Sequence, residues 1–326
     1  MREAPAARPA SRPALAIVCL ALLALVVFGR LPGPSMWASD LGNAAHGPAF
    51  AAVTLVVFAL LSAVAVLSAR PLLAAGIAVA LAIALGATTE LVQYALGRDA
   101  TWGDLGRDAL GAFAVGGFLV ASRTVTRPQG GGAPLHRAAL ATGILCGLAV
   151  LAPFAVTGAA YAERALAFPV LVDFRSPQSG YFLRHWGRAE VARERIPAAP
   201  GRPRGDTALH VRIEPRKPWS VALWEPVPDW RGYGTLNLDL LNPTDEPLRL
   251  KVWIRDRSQG RDRKAGFRHP ITIPPHARRI VPVPLAGLAA ATGAARVDTA
   301  HIHSVILLRS KDNAAVEFHL LRLFLD

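Results

Sequence analysis

The sequence predicts two unlike parts in one chain of 326 residues: an α-helical transmembrane bundle of five spans, followed by an all-β sandwich or jelly roll. Three observations carry that expectation. Up to Tyr161 the chain is mostly Ala, Leu, Val and Gly in long uncharged runs, each near or above the ~17 to 25 residues that cross a bilayer. From Phe168 onward it turns to short alternating segments punctuated by Pro, Gly, Asn and Asp. Charge divides at the same place: 11 Lys and Arg with 7 Asp and Glu precede Phe168, and 25 with 16 follow it, for net charges of +4 and +9.

The predicted elements begin with residues 1–13, a cytoplasmic arm whose Arg2, Arg8 and Arg12 flank the first apolar run, Ala14 to Gly29. That flank has the form of a signal peptide or signal anchor, and the length of the run and the spans behind it favour an uncleaved anchor. Further runs cover Ala44 to Leu67, Leu72 to Leu96, Leu105 to Ala121 and Ala138 to Gly158. Residues 14–121 thus form a four-helix membrane domain, 122–137 a cytoplasmic linker made flexible by Gly130 to Gly132, and 138–158 a fifth transmembrane helix. Cys19 and Cys146 each lie inside an apolar run and read as small core residues rather than a disulfide or metal pair.

Orientation follows from the basic residues of the short loops. The arm, Arg70, and Arg123, Arg127 and Arg137 fall on one side, whereas Leu31 to Asn43 on the other has no Lys or Arg. The arginine side is expected to be cytoplasmic, which places the C-terminal part outside. Nucleic acid is therefore not an expected partner, despite the basic balance, and the bilayer is.

Between the third and fourth runs the stretch Glu90 to Gly111, ELVQYALGRDATWGDLGRDALG, concentrates ionisable residues at one end of a helical hairpin. Glu90 and Gln93 are three apart, and Asp104, Asp108 and Gly111 are spaced four and then three, so each set lines one helix face. Such residues are costly in a bilayer and point into a bundle or a watery pocket. The outer loop adds Asp40, and His46 opens the next helix. Glu90, Asp104 and His46 are the candidate catalytic residues, and Asp40, Gln93, Arg98 and Asp108 the candidate binding residues. Carboxylates beside a His can act as a general acid/base set, since burial raises a carboxyl pKa while a neighbouring cation holds another charged. They can equally ligate a divalent cation, although the spacings match no named metal site. The third alternative is structural, with Arg98 paired to Asp104 or Glu90 to lock the hairpin. The chain has no Ser or Cys nucleophile signature, P-loop or dinucleotide fingerprint, which lowers the standing of the familiar enzyme classes.

These residues resemble the VanZ-like pattern: an acidic residue shortly before a helix-opening His, Glu and Gln three apart, an Arg, an Asp, a polar residue four further on, and a Gly three after that. Here the positions are Asp40, His46, Glu90, Gln93, Arg98, Asp104, Asp108 and Gly111, within residues 15–121. The chain departs from the pattern in having Leu41 where a Lys is usual after the first Asp, a longer gap to the His, and Asp108 where Asn is preferred. The resemblance implies a protein of the bacterial inner (plasma) membrane, in a family named for a member linked to glycopeptide-antibiotic resistance, with no settled reaction and no assigned cofactor.

After Phe168 the segments ALHVRIE, SVALWEP, TLNLDLLN, LRLKVWIRD, RIVPVPL, SVILLRS and VEFHLLRLFLD read as seven or more short strands of an antiparallel sandwich over residues 168–326. Their order, with the Asp229 to Tyr233 segment, loosely resembles galactose-binding-like modules found beside carbohydrate-active proteins. Trp219, Trp224, Trp230, Tyr233 and Trp253 invite a sugar-stacking reading, but strand-end and core packing is the ordinary role of most such residues, and Trp253 should face away from Val252 and Ile254. The loop RDRSQGRDRKAGFRH, with Arg255, Arg257, Arg261, Arg263, Lys264 and Arg268, is either a solvated hairpin tip or a contact for phosphate or uronate groups. The expected function is binding, or help in processing, of envelope polysaccharide or glycolipid. A membrane enzyme using the Glu/Asp/His pocket and a structural scaffold of an envelope assembly are the two alternatives.

Overall fold

The structure is a computed structural model that describes residues 11–29, 35–98, 101–125, 132–187, 189–196, 206–214, 219–260, 262, 264–309 and 316–326. Arg2 and Arg8 of the arm, Arg127, Gly130 and Gly131 of the linker, and Arg261 and Arg263 of the basic loop lie outside the described residues. The chain divides into two compact units, Met1–Thr157 and Gly158–Asp326.

The first unit is helical. Its elements are α1 (Arg12–Phe28), α2 (Met36–Ala44), α3 (His46–Ser62), the single turn α4 (Ala65–Ser68), α5 (Pro71–Ala95), α6 (Trp102–Thr124) and α7 (Gly132–Ala167), which runs on past Thr157. Local signals explain several boundaries. Ser35 caps α2 by accepting from the Ala38 amide at 3.1 Å, proline opens α5, and Thr101 caps α6 through the Asp104 amide at 3.0 Å. Among the described residues, four helical stretches are long and apolar enough to cross a membrane: Met36–Ser62, Pro71–Ala95, Trp102–Thr124 and Gly132–Ala167. The expectation of five spans is corrected at α1. Gly29 leaves the helical conformation, so α1 stops at 17 residues, about 25 Å of helix against the ~30 Å of a hydrocarbon core. The last helix, expected to end at Gly158, continues to Ala167.

Helices α3, α5 and α6 pack on one another, and α1 lies against α3. Their core sets Phe50, Val53, Val57 and Phe58 of α3 against Ala74, Ala75, Ala78 and Ala82 of α5 and Ala112 of α6. Small residues along α5 and α6 let the backbones approach closely, which gains dispersion contacts where no side chains intervene. Outward faces remain apolar, with Leu20, Leu25, Leu91, Leu145 and Leu148 all largely exposed.

Among the described residues the second unit holds eleven strands in two antiparallel sheets. They are β1 (Val170–Val172), β2 (Leu183–Gly187), β3 (Ala189–Arg195), β4 (Thr207–Ile213), β5 (Trp219–Trp224), β6 (Thr235–Leu241), β7 (Leu248–Asp256), β8 (Phe267–Ile273), β9 (Arg278–Pro284), β10 (Ile302–Arg309) and β11 (Val316–Leu325), with a short helix α8 (Ala286–Ala290). One sheet runs β3-β4-β11-β6-β9 with β1 also on β11, and the other runs β2-β5-β10-β7-β8. The expected sandwich is present, and its core is formed by residues that alternate inward, among them Leu236, Leu238, Leu240, Leu250, Ile254, Ile273 and Phe318. Val252 and Ile254 are buried while Trp253 between them is only partly so, as its alternation requires. Prolines sit where they remove no central ladder bond: Pro270 on β8 and Pro282 on β9, each the edge of its sheet.

Candidate functional site

Four of the residues singled out from the sequence come together at the end of the helical unit where α3 and α6 begin and α5 finishes. His46 is the first residue of α3, Glu90 lies in the last two turns of α5, and Asp104 and Asp108 occupy the first two turns of α6. All four are buried, Asp108 completely. Nδ1 of His46 lies 3.0 Å from Oδ1 of Asp108, which fixes the ring as a carboxylate does for a general base or a metal-binding imidazole. One ligand atom each from His46, Glu90 and Asp104 lie within 4.8 Å of one another.

Thr101, which the sequence pattern did not single out, ties this group to the helix start. Its hydroxyl donates to Oδ2 of Asp104 at 2.8 Å and accepts from the Asp104 amide, while its own amide donates to Oε2 of Glu90 at 2.9 Å. This is a capping arrangement in which a carboxylate from a neighbouring helix takes the N-cap amide. Arg107, one turn beyond Asp104, donates to its Oδ1. Both were legible as local signals: T-x-x-D at a helix start for Thr101, and an acid–base pair three apart for Arg107.

Among the described residues, Oε1 of Glu90 and Oδ2 of Asp108, each in a buried side chain, have no hydrogen-bond partner. An acceptor left so inside a protein ordinarily costs on the order of 1 to 3 kcal/mol, more when charged. The arrangement can therefore receive a donor: a hydroxyl, an ammonium or a cation.

The other predicted residues are placed differently. Gln93 and Arg98 turn to α1, Nε2 of Gln93 donating to the Val26 carbonyl at 3.1 Å and Arg98 to the Val27 carbonyl. They satisfy carbonyls that the end of α1 leaves unpaired, and the guanidinium sits at the negative end of that helix. Arg98 thus caps α1 rather than forming the pair with Glu90 or Asp104 that the structural alternative called for, and Asp104 takes Arg107. Asp40 lies half-buried on α2, six residues ahead of His46. Gly111 sits where α6 meets α3, its α-carbon so near Gly47 and Ala51 that a Cβ would overlap the Gly47 carbonyl oxygen.

In the sandwich the conspicuous residues are mostly structural. Trp219 and Trp230 are buried, and Trp230 donates to the Val227 carbonyl at 2.7 Å. Asp229 accepts from Nε of Arg231 at 2.8 Å and from Nη2 at 2.6 Å; these bonds, with one from the Arg231 amide, pull its carboxyl down to about 2 and make the segment a local turn. In the basic loop Arg255 is buried, lies over the Trp253 ring and donates to the carbonyls of Gln259, Gly260 and Asp262, so it shapes the loop from within. The one tryptophan on this unit with nearly half its surface exposed is Trp186 (47%), in edge-to-face contact with Trp224. It was missed because β2 lacks an alternating pattern.

No family model matches this chain, and no curated protein matches it. The VanZ-like resemblance accordingly rests on the residues quoted for it. Solved structures do match over less than half of the chain. One is a family 11 carbohydrate-binding module from Clostridium thermocellum in complex with a β-1,3-1,4-mixed-linked tetrasaccharide, with 14% identity, 48% of this chain and 93% of that chain covered, and a TM-score of 0.37. An exo-β-agarase is similar at 15% identity over 48% of this chain and 24% of its own, with a TM-score of 0.39. A family 28 module specific for non-crystalline cellulose gives 10% identity, 42% and 79% coverage, and a TM-score of 0.30.

Proposed function

We propose that the chain is a multi-pass protein of the bacterial plasma membrane, VanZ-like in its helical part, that binds or helps to process envelope glycans or glycolipids at the centre around Glu90. The observation that carries the reading is the pair of partnerless buried oxygens, Oε1 of Glu90 and Oδ2 of Asp108, beside His46. Carbohydrate hydroxyls are donors of the kind such oxygens lack. Membrane placement is supported by the apolar outward faces and by Tyr94 and Trp102, exposed at the helix ends nearest the centre, where amphipathic rings suit a membrane–water boundary. In this reading the sandwich lies outside, where exposed Trp186 offers a face for a sugar ring.

A membrane enzyme is the second reading, favoured by one feature: an imidazole oriented by Asp108 with further carboxylates beside it is an acid/base set. The test for binding is native mass spectrometry of the protein extracted in mild detergent. Wild type retains a co-purifying saccharide-bearing lipid, and the folded Glu90→Gln/Asp108→Asn variant loses it. Equal retention by the two contradicts the assignment of the site, and a shortened or rearranged saccharide formed only by wild type selects the enzyme.

A further inference from the structure

We infer that the solvent-facing surface of the sheet containing β11 carries a site for a divalent transition metal of the zinc type, ligated by Glu194, His210 and His319. The three residues lie on adjacent strands, β3, β4 and β11. Register sets His319 opposite His210, and His210 opposite Ala192, two residues from Glu194 on the same face. Their neighbours in sequence, Leu209, Val211, Phe318 and Leu320, are buried in the sandwich core, so the three side chains stand on the outer face.

The separations are those that two imidazoles and a carboxylate sharing one metal would show. Nδ1 of His210 lies 3.0 Å from Oε1 of Glu194, and Nε2 of His319 lies 3.6 Å from Oε2. The second separation is too long for a good hydrogen bond. Both approach the ~3.3 to 3.5 Å edge of a tetrahedron built on zinc–nitrogen and zinc–oxygen bonds of about 2.0 to 2.2 Å. All three ligand atoms lie within 4.8 Å of one another. The two imidazoles are stacked, with centroids 4.6 Å apart and planes 10° from parallel, so the rings must tilt for both nitrogen lone pairs to meet one metal.

The surroundings already orient one ligand. Oε1 of Glu317 lies 3.0 Å from Nε2 of His210, so a proton on that nitrogen leaves Nδ1 bare toward Glu194. A carboxylate on the far nitrogen of a metal-binding histidine is the usual support for such a ligand. Glu317 is itself steadied by Arg212, at 3.6 Å. Two histidines and one carboxylate from the protein leave a fourth position for water or an exchangeable ligand, the pattern of an open zinc site rather than a closed one.

Zinc titration of the full chain in detergent tests this, after stripping with a chelator and in competition with a chromophoric one. Wild type should take up zinc with a Kd on the order of 1 μM or tighter. His210→Ala and His319→Ala should each weaken uptake by about 100-fold and Glu317→Gln by about 10-fold, whereas Glu190→Gln, on the same face outside the set, should leave it unchanged. Uptake equal to wild type in the His210→Ala/His319→Ala variant overturns the site, as does a wild type that binds no zinc. X-ray absorption of the zinc-loaded wild type gives an answer independent of any variant's folding: two imidazoles in the shell are expected, and a shell with one or none overturns the assignment.

Discussion

Gly86 of α5 faces Asp108 of α6 so closely that a Cβ on Gly86 would sit 2.8 Å from Oδ2 of Asp108. The absence of a side chain on one helix is what admits a buried carboxylate on the other. Gly86→Ala would gain up to about 1 kcal/mol of helix propensity, yet it must push Asp108 and loosen its contact with His46. We expect a net loss of about 1 to 2 kcal/mol, read as a lower melting temperature in detergent, together with weaker retention of the co-purifying lipid. A melting temperature above wild type with retention intact would show that Asp108 can move freely.

Gly111→Ala should be worse, because the obstacle is backbone: the Gly47 carbonyl and the Ala51 amide of α3. Helices α3 and α6 would have to separate, and a loss of about 3 kcal/mol or failure to accumulate is expected. Gly106, on the same helix with nothing within 4 Å of an added Cβ, is the control. Gly106→Ala should be neutral or raise stability by up to about 1 kcal/mol, and equal damage from the two would contradict the close approach at Gly111.

In the sandwich, Arg278 on β9 donates through Nε and Nη2 to Asp239 at 2.8 and 2.6 Å and through Nη1 to Asp206 at 2.7 Å. Asp239 is buried, so Arg278→Met leaves it without its partner. A fully buried pair would cost ~3 to 5 kcal/mol. With the Arg278 side chain 27% and that of Asp206 37% exposed, about 2 kcal/mol is expected. Calorimetry checks this, and the double change Arg278→Met/Asp239→Leu should recover part of the loss.

Particular residues explain what was legible in the sequence. Strands β6 and β11 announce themselves through alternation, because one face must meet the core; β2 and β3 do not, because both are edge strands and largely exposed. Strand β8 was hidden by Pro270, which its edge position tolerates. At the polar centre, helical spacing brought Asp104 and Asp108 to one face, but spacing along a chain carries no information about partners on other helices. Hence the Val27 carbonyl that Arg98 reaches could not be read from the chain. Likewise the T-x-x-D cap at Thr101 is legible locally, but the contact of its amide with Glu90 is not. The pair His210 and His319, 109 positions apart, is created by strand register alone.

The proposed topology makes a separate prediction. A cysteine introduced at residue 130 in a background lacking Cys19 and Cys146 should resist an impermeant thiol reagent in intact cells, and one near residue 326 should react. The reverse pattern would place the sandwich inside the cell and remove envelope glycans from the account.

Whether the partnerless oxygens at the polar centre are held for a ligand, as proposed, or for the fold is decided by the melting temperature of Glu90→Gln measured beside its ligand retention. Glutamine keeps the acceptor for the Thr101 amide while removing a buried charge whose other oxygen has no partner. A site held for a ligand gives a melting temperature equal to or above that of wild type, with ligand retention and envelope phenotype lost. A melting temperature several degrees lower, with retention and phenotype unchanged, would contradict it and make the cluster a structural network.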